Sequence, residues 1–154
     1  MGHRSKMDMK RQLFTCILGL VFACSGWAQG GSAHKQLRSG DKDYQANEYS
    51  AAEEHYRRAL IKEESDQGRY NLGNAIYQQE RYEEAVKQYE DAAQSASEAV
   101  LQARAYHNLG NAHYQQQAYD QAVEAYKEAL KRAPDDLQTK YNLALAQREL
   151  KLQQ

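Results

Sequence analysis

The sequence predicts an all-α solenoid of stacked helical hairpins, three repeats closed by a C-terminal capping helix. Three observations predict it. With one proline and nine glycines in 154 residues, the chain lacks the turn signals that a β-sandwich or barrel needs about every 8–12 residues. Second, Tyr70-Asn71-Leu72-Gly73-Asn74-Ala75-Ile76-Tyr77-Gln78-Gln79 recurs as His107-Asn108-Leu109-Gly110-Asn111-Ala112-His113-Tyr114-Gln115-Gln116, and self-similarity at a period of about 20–50 residues marks repeat architectures. Third, Tyr119, Ala122, Val123, Tyr126, Ala129 and Leu130 recur at the spacing of one apolar stripe on a 3.6-residue helix.

The first 28 residues read differently from the rest. Lys10 and Arg11 precede an apolar run from Leu13 to Ala23, and Gly26-Trp27-Ala28 forms a small-residue exit. That is the pattern of a secretory signal peptide, with cleavage expected after Ala28 and the mature chain expected in the periplasm. The run is shorter than the roughly 20 residues that span a bilayer, so the mature chain is not expected to insert into the membrane. An uncleaved anchor is one alternative, and a lipoprotein anchored at Cys24 is another, since Val21-Phe22-Ala23-Cys24 loosely matches a lipid-attachment motif. Cleavage would remove both cysteines, Cys16 and Cys24, and leave 16 basic against 20 acidic side chains. The core must then hold by packing without a disulfide. The near balance of charge supplies no field to attract nucleic acid. Residues 29–33 read as a flexible leader.

The repeats follow. Helices are expected over 33–46 and 48–63, 66–79 and 81–95, 98–116 and 118–132, in repeats of about 33–65, 66–98 and 99–134. The first copy is faint and consists of Gly40, Tyr44, Tyr49, Ala52, Tyr56, Ala59 and Leu60. Gly40 to Gly73 is 33 residues and Gly73 to Gly110 is 37, so about three residues are inserted between repeats two and three. In that insertion, Ser95-Ala96-Ser97-Glu98 reads as a capping box opening a lengthened helix. Glycine within a helix costs about 1 kcal/mol against alanine. Gly73 and Gly110 therefore predict a close approach between the two helices of a hairpin, assisted by Ala85, Ala92, Ala122 and Ala129. A last helix over 136–151 starts at Asp135-Asp136, which supply an N-cap, and its polar outer face would close the array.

No catalytic constellation is visible, and no metal or cofactor is expected. His107 and His113 lie about 240° apart around one helix and cannot share a metal ion. Glu53-Glu54, Glu63-Glu64 and Glu83-Glu84 read as solvated helix faces.

These lines resemble the tetratricopeptide repeat (TPR) family. Leu72-Gly73 and Leu109-Gly110 take its Leu-Gly places, Ala85 and Ala122 its first alanine, Tyr89 and Tyr126 its aromatic, and Ala92 and Ala129 its second alanine. Pro134 is the terminal proline of repeat three, and Tyr141-Asn142-Leu143-Ala144 begins a partial fourth copy. The resemblance implies a non-enzymatic protein that binds partner proteins in a groove lined by the first helix of each repeat. In this chain those places fall on Tyr70, Asn74, Tyr77 and Gln78, on Arg104, His107, Asn111, Tyr114 and Gln115, and on Tyr141. Asn71, Asn108 and Asn142 recur one per repeat. Each amide offers a donor and an acceptor, so they could form a ladder on the backbone of an extended peptide, or equally could bond the backbone of the neighbouring repeat. Some family members clamp a partner's C-terminal carboxylates with Lys and Arg. Here Leu37 and Asp41 stand in the first repeat's places and Arg104 follows later, which implies that this clamp is absent.

The whole arrangement also resembles the small exported TPR proteins of the Bat (Bacteroides aerotolerance) operon. That resemblance implies an adaptor for membrane-anchored proteins with von Willebrand factor A domains, linked to oxidative-stress tolerance. Two alternatives remain: a glycan-contacting or regulatory subunit of an envelope enzyme, and a self-associating scaffold.

Overall fold

A computed structural model describes residues 32–154. The expected signal peptide, its cleavage after Ala28 and lipid attachment at Cys24 lie outside the described residues. The described span is helical throughout, without a strand: α1 over 32–45, α2 (Tyr49–Lys62), α3 (Asp66–Tyr77), α4 (Tyr82–Ser95), α5 (Ala99–Gln115), α6 (Tyr119–Arg132) and α7 (Leu137–Gln153). The ends differ from the sequence expectation by at most two residues. Ser32 and Ala33, expected in the leader, already belong to α1, and Ala33 is buried. Consecutive helices from α2 to α7 pack antiparallel, and the first helices of successive repeats lie side by side, α3 against α5 and α5 against α7.

Each hairpin turns by the same device. Asn47, Glu80 and Gln117 take left-handed backbone angles, with φ of 63°, 61° and 60°. The next amide in each case reaches back five residues: Glu48 to the Asp43 carbonyl, Arg81 to Ile76 and Ala118 to His113. That closes a helix C-terminus in the Schellman manner, but without the glycine that adopts this conformation freely. Across each turn two tyrosines meet edge to face, Tyr44 with Tyr49, Tyr77 with Tyr82 and Tyr114 with Tyr119, at centroid distances of 5.2–5.3 Å. Such aromatic pairs contribute about 0.5–1.5 kcal/mol beyond burial and fix how the hairpin closes.

The glycines do what their cost predicts. A Cβ on Gly40, Gly73 or Gly110 would lie 2.6, 2.7 or 2.5 Å from Cε1 of Tyr56, Tyr89 or Tyr126. These three rings are the largest fully buried side chains of the chain's described part. The helix-helix approach is thus set by a tyrosine ring pressed against a glycine, with Ala52, Ala85 and Ala122 fully buried beside it.

The capping box is not formed. Ser95 is the last residue of α4 and its hydroxyl donates to the Asp91 carbonyl, while α5 starts after Glu98 with no side-chain cap. Buried Ala96 extends the α4 stripe of Ala85, Tyr89 and Ala92, so packing outweighs the local capping pattern. The insertion lengthens α5 to 17 residues against the 12 of α3, and Gln102 ties the bend by donating to the Ala96 carbonyl. Asp136 does cap α7, accepting from the amides of Gln138 and Thr139. Ser65 caps α3 in the same way through Gly68.

Candidate functional site

The inner face carries a periodic relay of side-chain hydrogen bonds. In repeat three, Asn111 Oδ1 accepts from the Tyr126 hydroxyl at 2.7 Å and from Nδ2 of Asn142, one repeat further on, at 3.1 Å. In repeat two, Asn74 Oδ1 accepts from the Tyr89 hydroxyl at 2.9 Å and from Asn108 Nδ2 at 2.9 Å. In repeat one, Asp41 replaces the asparagine and accepts from the Tyr56 hydroxyl at 2.8 Å and Asn71 Nδ2 at 3.1 Å. A buried phenol left without an acceptor costs about 1–3 kcal/mol. The relay satisfies three of them and also joins each repeat to the next. Burial pushes the phenols of Tyr56, Tyr89 and Tyr126 well above the ordinary tyrosine range, and beside Tyr56 the Asp41 carboxylate pushes further the same way.

This places the candidate residues in two groups. Asn71, Asn108 and Asn142 bond neighbouring repeats through their side chains, not through the neighbour's backbone; Asn108 also donates to the Tyr70 hydroxyl at 3.2 Å. Asn74 and Asn111 spend their carbonyl oxygens on the relay. The second group faces open space. A trough runs along the inner face in joined hollows: Tyr44 and Asn74 are shared by the first and second, Tyr77 and Asn111 by the second and third. Tyr77, Tyr114 and Gln115 line the third, where Leu145 joins Asn142. Burial raises the Tyr77 and Tyr44 phenols, against the lowering effect of hydrogen bonds with Gln115 and Gln78. Both therefore stay neutral hydroxyls able to donate or accept.

A wider hollow of about 530 Å³ opens beside the trough, lined by Tyr70, Arg104, His107, Asn108, Arg132 and Asp136 among others. Arg104 is exposed and makes no ion pair among the described residues. Arg132 is held by Gln102, by Glu128 and by the Tyr106 ring, 4.5 Å from its guanidinium carbon. His107 is tied down: its Nδ1 lies 2.6 Å from Thr139 Oγ1, whose hydroxyl donates to Asp136 Oδ2 at 2.6 Å. A hydroxyl has one proton, so His107 Nδ1 is the donor of that first bond. Burial lowers the His107 imidazole, opposed by Asp136; the Thr139 hydroxyl above all holds the Asp136 carboxyl below its usual range. Tyr141, by contrast, stands 65% exposed on α7.

The sequence reading places Tyr56, Tyr89 and Tyr126 in the repeat pattern and names no partner for their hydroxyls. The signal was present: Asp41 and Tyr56, Asn74 and Tyr89, Asn111 and Tyr126 are each 15 residues apart. Among the described residues no cluster of His, Cys, Asp and Glu is arranged to hold a metal ion, and no helix is long and apolar enough to cross a membrane.

Residues 67–135 match the tetratricopeptide repeat family. The fold is a TPR solenoid. Among solved structures, the TPR2AB domain of yeast Sti1 in its pHSP90 complex is 25% identical over 79% of this chain and 48% of its own, with a TM-score of 0.72. The present chain thus spans about half the length of that relative. The TPR domain of Sgt2 from Aspergillus fumigatus is 23% identical, TM-score 0.70, over 77% of this chain and 79% of its own. The first TPR of Spaghetti (RPAP3), bound to the HSP90 peptide SRMEEVD, is 17% identical, TM-score 0.72, over 79% and 94%. No curated protein matches the sequence. The trough described above is the inner face of this array.

Proposed function

We propose that this chain is a non-enzymatic adaptor of the cell envelope that holds a segment of a partner protein in its inner trough. The observation carrying this reading is the division of labour on that face. The asparagines brace the repeats, and Tyr77, Tyr114 and Gln115 are left lining the second and third hollows of the trough, which carry no charged side chain. Tyrosine supplies contact area at low entropic cost together with a hydroxyl, and is enriched among residues that dominate binding energy. Peptide complexes of the TPR structures named above support a protein segment as the occupant. The Bat-type resemblance supports the finer reading: a periplasmic partner of membrane-anchored von Willebrand factor A domain proteins, helping to assemble a complex linked to oxidative-stress tolerance.

The test is site-specific photo-crosslinking in cells, with a photoreactive phenylalanine at Tyr77 or Tyr114, and at Glu83 or Lys127 on second helices as controls. Adducts at the trough positions only, resolving by mass spectrometry to a membrane-anchored protein of this kind, would support the assignment. Adducts at the control positions alone would remove the trough as the site. A glycan adduct would replace the adaptor reading with glycan recognition.

A further inference from the structure

The first three first-helices share a covered face, and α7 shares its sequence pattern without the cover. Tyr141-Asn142-Leu143-Ala144 aligns with Tyr70-Asn71-Leu72-Gly73 and His107-Asn108-Leu109-Gly110. Gly73 and Gly110 lie under the rings of Tyr89 and Tyr126 from the following helix, whereas Ala144 is exposed. Around it, Leu137, Tyr141, Ala144, Arg148 and Leu152 follow i, i+4, i+7, i+11, i+15 and so share one face. Leu137, Tyr141 and Leu152 are 76%, 65% and 74% exposed, three of the five large apolar side chains exposed among the described residues. The sequence expectation of a polar outer face is met only at the flanks. Lys140 and Lys151 border the stripe, Arg148 lies within it, and Glu149, the one acidic residue of α7, bonds Arg148 from beside the stripe.

We propose that this face of α7 docks an acidic amphipathic helix of a partner protein, laid across α7 as α4 lies across α3 and α6 across α5. The repeat itself is the template for a helical occupant. Charge selects which helix: Lys140, Arg148 and Lys151 attract acidic flanks. A two-fold contact with a second copy would set these cations against one another, a like-charge juxtaposition that disfavours the pairing. The Ala144 methyl selects further. At Gly110 a Cβ would come within 2.5 Å of the tyrosine ring, so the occupant presents an aliphatic side chain over Ala144 and not a tyrosine.

The probe is a lactam-stapled peptide with the sequence of residues 118–132, carrying Tyr126→Leu, Lys127→Glu, Lys131→Glu and Arg132→Glu. Its binding to the folded chain is read by fluorescence anisotropy. We expect saturable one-to-one binding that weakens with salt. Ala144→Glu and the pair Lys140→Glu with Lys151→Glu should each weaken it by about tenfold or more. Because these side chains are exposed, the melts should be unchanged, and a peptide retaining its lysines and arginine should bind more weakly. Absence of saturable binding at millimolar peptide, or equal binding to the variants, would overturn the proposal. So would a concentration-dependent dimer in sedimentation that Ala144→Glu abolishes, since a second copy would then be the occupant.

Discussion

Gly110→Ala puts the close approach of α5 and α6 to a direct test. By helix propensity alone the change should stabilise α5 by about 1 kcal/mol. The structure predicts the opposite sign. The new Cβ would lie 2.5 Å from Cε1 and 2.6 Å from Cδ1 of Tyr126, well inside the roughly 3.5–4.0 Å optimum between carbons. The ring cannot swing aside, because it is 1% exposed and its hydroxyl is held by Asn111 at 2.7 Å. Overpacking costs about 1–3 kcal/mol, and displacing the ring forfeits a hydrogen bond of about 1 kcal/mol. The net expectation is a loss of about 1–3 kcal/mol, a fall in Tm of about 4–12 °C at about 4 °C per kcal/mol. Circular dichroism melts and urea unfolding read it. The same substitution in a Tyr126→Leu background isolates the cause, since without the ring most of the cost should vanish. Ala144→Gly on α7, where no ring packs, should show propensity alone and lose about 1 kcal/mol. Stabilisation by Gly110→Ala, or an equal cost in both backgrounds, would refute the ring-on-glycine account.

Other expectations follow from the same geometry. Glu80→Gly and Gln117→Gly, at left-handed positions, should each stabilise by about 0.5–1 kcal/mol in urea unfolding. Burial raises the Glu53 carboxyl, but bonds from Gln79, Arg57 and Arg81 more than offset this and hold it below its ordinary value of 4.5. A depressed carboxyl contributes stability above its unfolded pKa that is lost as pH falls. Glu53→Val, the residue type at Val86 and Val123, should therefore flatten the acid limb below about pH 4.5 and cost stability at neutral pH, where Arg57, Arg81 and Gln79 lose their shared acceptor. The His107 and His113 imidazoles are lowered by burial, so the unfolded chain binds their protons first. Stability should fall as pH drops below about 6.5, and less steeply when both are replaced by glutamine.

Much of this molecule is legible in its sequence because repetition multiplies weak signals. The ten-residue line and the stripe of α6 fix the hairpins, and glycine in mid-helix is informative because it is costly. The misreadings occur where tertiary contacts overrule local pattern. Ser95 and Glu98 have the spacing of a capping box, yet Ala96 completes the buried stripe of α4 and draws Ser95 into that helix. The ladder asparagines have the chemistry to grip a peptide, and the sequence leaves open whether they do. Only the crossing of α5 over α6 and α7 brings Tyr126, Asn111 and Asn142 together, and that geometry has no local signature apart from the 15-residue interval. On α7 the sequence predicts a polar outer face, but Leu137, Tyr141 and Leu152 share that face and are exposed.

The central claim is that the trough tyrosines bind while the asparagine relay braces. The affinity of purified variants for the segment captured by crosslinking tests it most directly. Tyr77→Ala with Tyr114→Ala should weaken binding by about tenfold or more, since buried anchors of this type cost about 2 kcal/mol or more, at nearly unchanged helicity. Glu83→Ala with Lys127→Ala should leave affinity as it was. Asn111→Ala should lower the melting temperature first, by orphaning the Tyr126 hydroxyl. Wild-type affinity in the double tyrosine variant, or weakened binding in the Glu83 and Lys127 pair, would contradict the claim.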